Sequence, residues 1–330
     1  MSHTVCVVEG DGIGREVVPA AVQVLAALRL PIEFTSARAG YACYQDCGDP
    51  IPEATVAACR AADAVLFGAV TTPPDIPNYR SAIVTLRRQL DLYANVRPVR
   101  SLGVEGYREG IDLVIFRENT EGLYSGQEED HGDYAVAKRV ISRKGSERIA
   151  RAAFELARRE GRPNVTIVHK ANVLRLTCGL FRRTALAVAE EYPEIRVGEM
   201  LVDAMAMRLI KDPENFSVLV TTNLFGDILS DEAAMLVGGM GLAAAGNLGE
   251  RGAIFEPVHG SAPDIAGRGI ANPLATILAA GMLLSHLGEV KAAQRVNAAV
   301  SATIRRGVLP PDLGGTATTA QVTAAVVAAL

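Results

Sequence analysis

The chain opens on a short apolar, β-branched run, Val5–Val8, that ends in a glycine-rich turn, Gly10–Gly14. Val17, Val18, Ala21, Val22, Leu25 and Leu28 then recur at helical spacing, so the first unit is strand, turn, helix. Ala64–Val70, Ile111–Phe116, Asn164–Val168 and Phe216–Thr221 are further apolar runs of strand length. The pattern predicts a helix over Ile83–Tyr93 with basic residues on one side, and a charged amphipathic helix over Ser146–Glu160. Helices are also expected from about Gly226 to Val237 and over Pro273–Leu287, the second apolar throughout with Pro near its first turn. Pro310-Pro311 and Gly314-Gly315 mark a loop before a last Ala/Val-rich helix. Strands alternating with helices make this an α/β protein. No repeat or low-complexity linker divides it, which suits either one continuous fold or domains between which the chain crosses more than once.

Composition narrows the function. The 330 residues are 49% apolar and 21% charged, enough for a sizeable core, and the length favours two domains. A net charge of -4 leaves no basic field for nucleic acid or an anionic membrane. Met1–Gly10 lacks the basic start of a secretory leader, and the apolar part of the uncharged stretch Gly269–Gly288 is too short to span a bilayer. Cys6, Cys43, Cys47, Cys59 and Cys178 are odd in number and lack zinc spacing, so reduced, mostly buried thiols in a cytoplasmic protein are expected.

Gly10-Asp11-Gly12-Ile13-Gly14 sits where a dinucleotide fingerprint would, but its third glycine comes one residue early. Asp11 would also set a carboxylate beside the pyrophosphate. The glycines are therefore read as turn-forming, and a standard Rossmann fold is not expected.

Four constellations carry candidate chemistry. Arg87, Arg97 and Arg117 each read singly as surface charges, yet together suit a clamp for a di- or tricarboxylate. Asp227 and Asp231, four apart on a helix, share one face, and Asp203 is a candidate third acid. Oxygen-only ligation selects Mg²⁺ or Mn²⁺ over zinc. Lys170, after a buried strand in Val168-His169-Lys170, is a costly place for a charge without a purpose. Tyr124 lies in a polar loop. Finally, His259–Ile265, ending at Asn272-Pro273, is a run of glycine, small and spaced polar residues before a helix, suited to a backbone lying against a ligand. Asp264 there could accept bonds from ribose hydroxyls and oppose a 2′-phosphate, favouring NAD over NADP.

With these residues in view, the chain resembles the isocitrate/isopropylmalate dehydrogenase family over essentially its whole length. The most specific motifs are Asn223–Glu232 and His259–Pro273, while Asp91–Pro98, Arg117–Tyr124 and His169–Leu174 look most like homoisocitrate dehydrogenases. The resemblance implies an α/β fold that is not Rossmann, with two domains around a mixed sheet. The large domain would be 1–97 plus 240–330, and the smaller central one 98–239, carrying the dimer interface and the metal aspartates. It implies Tyr124 and Lys170 as the acid–base pair, and Thr71, Val84, Arg87, Arg97, Arg117, Tyr124 and Lys170 at the substrate. Asp203, Asp227 and Asp231 would bind Mg²⁺ or Mn²⁺. Ala69, Val70, Thr71, Asn172, His259, Gly260, Ser261, Ala262, Asp264, Ile265 and Asn272 would bind NAD. It further implies a homodimer, with a tetramer left open, in which Lys170 and Asp203 enter the partner's site.

The implied reaction is oxidative decarboxylation of a small tricarboxylate, homoisocitrate, to 2-oxoadipate in lysine biosynthesis, with isocitrate as a shorter candidate. Isopropylmalate enzymes resemble the Arg80–Arg87 stretch but usually carry an acid and two leucines at Arg80, Ile83 and Val84. Apolar Ile83 and Val84 keep 3-isopropylmalate, a leucine precursor, as an alternative, whereas Arg80 suits a third carboxylate. A regulatory subunit of the family would be expected to lose metal or acid–base residues, and none is lost here.

Overall fold

The computed structural model describes residues 2–76 and 79–330. From the N-terminus the chain forms β1 (His3–Gly10), α1 (Gly14–Ala27), β2 (Ile32–Ser36), α2 (Tyr41–Cys47), α3 (Glu53–Ala61), β3 (Ala64–Ala69) and α4 (Ala82–Gln89). There follow β4 (Ala94–Arg100), β5 (Asp112–Glu118), the hairpin β6 (Glu128–Asp130) and β7 (Ala135–Ala137), and α5 (Arg143–Glu160). Next come β8 (Asn164–His169), α6 (Thr177–Ala189), β9 (Arg196–Leu201), α7 (Val202–Lys211), β10 (Val218–Thr221) and α8 (Asn223–Met235). The chain closes with β11 (Ala244–Leu248), β12 (Ala253–Pro257), α9 (Leu274–His286), α10 (Val290–Arg305) and α11 (Thr319–Ala329).

Two units emerge, and the architecture is α/β with mixed pairing in each. Unit 1 comprises Met1–Asp91, Leu102–Glu109 and Gly238–Leu330. Its strands run in the order β2-β1-β3-β12-β11, parallel except for the antiparallel β12–β11 pair. Every residue of β3 is buried, as expected of a parallel strand covered on both faces. The core joins Val24 and Leu25 of α1, Leu66 of β3, Phe255 of β12, Ile277 and Leu283 of α9 and Val296 of α10. α9 reads apolar all round because it is enclosed all round.

Unit 2 comprises Leu92–Ser101 and Gly110–Val237. Its strand order is β4-β5-β10-β8-β9, with β4 antiparallel to β5 and the rest parallel. Leu113, Ile115 and Leu219 meet Met205 and Leu209 of α7 and Leu229 and Ala233 of α8 in one core.

Element ends differ from the sequence pattern for local reasons. The helix expected over Ile83–Tyr93 stops at Gln89, because Asp91 takes a left-handed φ of 47° and the chain then pairs as β4. α5 begins earlier than expected, where Ser142 accepts a bond from the Gly145 amide at 2.9 Å. α8 starts at Asn223, so Gly226 is inside the helix rather than at its start. Among the described residues no helix is long and apolar enough to cross a membrane.

Candidate active site

In unit 2, strand alternation sets the scene. Asn95 and Arg97 lie two apart on β4 and share a face, and Asn95 stands opposite Arg117 in the antiparallel register, so all three side chains rise on one side. α8 crosses that side at close range. A Cβ on Gly226 would lie 2.6 Å from Arg117 Cβ, so only glycine allows this approach.

The approach delivers Asp227 to the arginines. Arg97 Nη2 lies 3.3 Å from Asp227 Oδ1, and Arg117 Nη1 is paired with the same oxygen. The Tyr124 hydroxyl donates to Asp227 Oδ2, and the Arg117 guanidinium sits 4.9 Å from the Tyr124 ring centroid. One turn on, Asp231 Oδ1 accepts from Arg97 Nη1 at 3.2 Å, which also reaches Ser230 Oγ at 2.6 Å. Both arginines are almost wholly buried, a position that requires paired negative charge. Burial, then the bond to Asp227, holds the Tyr124 phenol above its usual pKa, so it remains a proton donor at neutral pH. Burial also raises Asp231, with Arg97 opposing.

Asp227 and Asp231 offer hard oxygen donors on one helix face, and Asp231 is half exposed, a set that suits Mg²⁺ or Mn²⁺. Among the described residues no three His, Cys, Asp or Glu side chains gather as a metal cluster. A cation held by this pair would need further oxygens besides these two carboxylates.

Asp203 stands instead with Lys170. β8 and β9 pair in parallel with His169 opposite Leu201, so the residues just beyond their ends meet: Lys170 Nζ lies 2.6 Å from Asp203 Oδ1 in the first turn of α7. That bond to Lys170 lowers the Asp203 pKa. The surroundings are apolar yet open. Val173, Leu174, Leu176, Met207 and Ile210 are exposed, as are Ile228 and Met235 on α8, and Asn172 is exposed beside them.

His169 itself faces inward, its Nδ1 accepting from the Ala171 amide at 3.2 Å, and burial lowers its pKa while Glu199 opposes. Between the usual imidazole value and the lowered one, the unfolded chain binds a proton that the folded chain refuses. Stability is therefore full above the usual value and falls as pH drops through that window. Denaturant midpoints should fall as the pH drops below the usual imidazole value of about 6.5, and His169→Asn should reduce that drop. An equal drop in the variant would reject this account.

In unit 1, the glycine turn after β1 serves as a floor. Ile13 N donates to Ser261 O at 2.9 Å, and a Cβ on Gly12 would lie 2.0 Å from that oxygen. The Asp11 carboxylate accepts from the amides of Tyr41 (2.7 Å), Ala42 (2.9 Å) and Thr71 (2.9 Å). Thr71, just beyond Ala69 and Val70, shares a 2.6 Å bond with Ser261 Oγ. Ala262 adopts a φ of 39°, and Ala262 and Ile265 pack on Ile13, Val17 and Ala271. Glu16 accepts from the amides of Gly267 (2.7 Å) and Gly269 (2.9 Å), while Thr319 Oγ1 donates to Ala271 O at 2.6 Å. Asn272 donates to Asp312 at 3.0 Å and accepts from the Leu274 amide at the start of α9. Gly260 and Asp264 are left exposed, and buried His259 Nε2 has no hydrogen-bond partner. A fixed loop with open small residues, an exposed acid and an orphaned ring nitrogen fits a nucleotide. On α4, Val84 is half-buried and Arg87 pairs with Glu256 at 2.7 Å, both shielded from solvent; Arg80 is exposed.

Several of these residues escaped the sequence reading. Glu256 had a usable signal, a charge within the buried run of β12, of the kind that singled out Lys170. Asn95 was legible only as a same-face neighbour of Arg97, and Glu16 had no signal.

Compared with known proteins, residues 4–326 match the isocitrate/isopropylmalate dehydrogenase family. The chain is 56% identical to the isocitrate/homoisocitrate dehydrogenase of Thermus thermophilus, covering 100% of this chain and 99% of that protein. It is 54% identical to the 3-isopropylmalate dehydrogenase of Archaeoglobus fulgidus, covering 94% of each. Among solved structures, the isocitrate dehydrogenase of Methylococcus capsulatus superposes with a TM-score of 0.96 at 47% identity, covering 99% of each chain.

Proposed function

We propose that this chain, which belongs to the isocitrate/isopropylmalate dehydrogenase family, oxidises homoisocitrate to 2-oxoadipate and CO₂ with NAD and Mg²⁺ or Mn²⁺. The family places it among β-decarboxylating dehydrogenases acting on small molecules. The observation that carries the reading is Asp227, one carboxylate that touches Arg97, Arg117 and the Tyr124 hydroxyl with Asp231 a turn away. Anion grip, proton donor and cation-binding oxygens are thus supplied together.

Asp227 and Asp231 would hold the cation, with Asp203 of a second copy as its third carboxylate. Ala69, Val70, Thr71, Asn172 and the loop from His259 to Asn272 would hold NAD. When bound, these groups supply a Lewis acid for the C2 oxygen and an acceptor for the C2 hydride. Arg87, Arg97 and Arg117 hold the carboxylates of the malate core, and Thr71 and Val84 line the substrate. Lys170, in its neutral amine form, takes the C2 hydroxyl proton. After C3 loses its carboxylate as CO₂, the Tyr124 hydroxyl, kept protonated by burial, returns a proton to C3. The exposed apolar side chains around Lys170 and on α8 support a homodimer, because burying them against a second copy removes them from water.

The relatives divide over the substrate. Half-buried Ile83 and Val84 on α4 favour 3-isopropylmalate as the second reading, and exposed Arg80 before α4 favours a longer carboxylate. A steady-state panel of homoisocitrate, isocitrate and 3-isopropylmalate with NAD and NADP tests this. Highest kcat/KM is expected for homoisocitrate with NAD, together with CO₂ release and loss of activity on chelation. A higher value for 3-isopropylmalate would install the second reading, and turnover without CO₂ would reject both.

A further inference from the structure

Arg97 and Arg117 are held from behind in the same manner. Arg97 Nε donates to Asn95 Oδ1 at 2.9 Å, and Arg117 Nε donates to Asn223 Oδ1 at 2.9 Å. Both asparagines are closed to water, at 0% and 2% exposure. The Asn223 amide has a defined direction, because its Nδ2 donates to the Glu121 carbonyl at 3.1 Å and so turns its oxygen to Arg117. The two anchors come from unrelated places, one from the same strand face as its arginine and one from the first residue of α8. Yet they present the same group to the same nitrogen.

We propose that Asn95 and Asn223 are positioning residues for substrate recognition, each fixing a guanidinium plane through Nε with a neutral oxygen. This rests on the reading that Arg97 and Arg117 bind the substrate's carboxylates. A guanidinium is planar, so fixing Nε fixes the direction of both Nη groups. A carboxylate would fix it equally well but would cancel its charge at close range, in a buried setting where charges are poorly screened. An amide oxygen orients without discharging. The Nη groups are then left for acidic partners, the role they already play toward Asp227 and Asp231.

Aspartate is nearly isosteric with asparagine, so Asn95→Asp and Asn223→Asp keep an oxygen on Nε and add the cancelling charge, Asn223→Asp also giving up the bond to the Glu121 carbonyl. Kinetics on homoisocitrate, isocitrate and 3-isopropylmalate, beside thermal midpoints and an Arg97→Lys control, read the effect. Each aspartate variant is expected to raise KM about tenfold, with kcat within about threefold, and the thermal midpoint of Asn95→Asp is expected not to fall. The factor should be equal for every substrate turned over, since all three share the malate core that the arginines would grip. An unchanged KM in both aspartate variants, with a raised KM in Arg97→Lys, overturns the proposal and leaves the substrate reading standing. An unchanged KM in Arg97→Lys overturns the substrate reading and the proposal with it. Should one aspartate variant fail to fold, the other carries the measurement; failure of both assigns the asparagines a purely structural role and also overturns it.

Discussion

Mixing Lys170→Met enzyme with Tyr124→Phe enzyme is expected to restore activity that neither has alone. Each substitution removes one proposed proton-transfer group, and such groups are worth about 10²–10⁴-fold in rate. Neither is expected to unfold the chain. Lys170 stands at a partly exposed site with Asp203 as its ion-pair partner, and Tyr124 loses a hydroxyl while keeping its ring beneath Arg117. Within one chain Lys170 and Tyr124 belong to different clusters, Lys170 with Asp203 and Tyr124 with Asp227. If each complete site takes Tyr124 from one chain and Lys170 from the other, a mixed dimer has one doubly defective site and one intact site. Random exchange of equal amounts should then recover about a quarter of the unsubstituted rate. The measurement is NADH formation before and after subunit exchange. Activity that stays absent after proven exchange would place both residues in one chain's site.

Asp227→Asn is expected to have the larger effect on binding and stability together. Asp227 Oδ1 is shared by Arg97 and Arg117, and its Oδ2 accepts from Tyr124. An amide keeps the shape but removes the charge that compensates two buried guanidinium groups, a loss of about 3–5 kcal/mol when one partner of a buried pair is removed. Asp227 is about one-third exposed, so solvent reduces this to about 1–2 kcal/mol. The cation would lose one of two carboxylates from this chain, and turnover should fall by more than about 10³-fold at ordinary Mg²⁺. Part of it should return at high Mn²⁺. Denaturation midpoints and Mn²⁺ titration of activity check both halves; an Asn variant with unchanged metal response would remove Asp227 from the cation's ligands.

The α/β class and the family were legible because strong signals carried them. β3, β5, β8 and β10 are apolar runs buried at most positions, β1 carries the apolar run Val5–Val8, and α9 is apolar because it is enclosed. β11 was invisible for a physical reason. Ala244-Ala245-Gly246-Asn247-Leu248 has poor strand propensity and reads as a glycine-broken loop, yet it is held by residue-for-residue pairing with β12. β9 is half exposed and shows no period. Gly226 read as a helix start, since only the packing against Arg117 explains a glycine inside α8. At the candidate site, charged residues in unusual places stood out. The neutral groups that orient them did not, because a buried asparagine in one sequence looks like any other polar residue until the strand opposite it is known.

The charge balance around α8 has one more consequence. The aspartates and the arginines satisfy one another. A dication arriving by itself would draw the acids away and strand two guanidinium groups in a dry setting; a polyanion arriving by itself would face two carboxylates. Entering as a chelate, the two cancel each other's burden, so each tightens the other by the same factor. If the proposed function holds, such a pocket would read the pair as a single ligand.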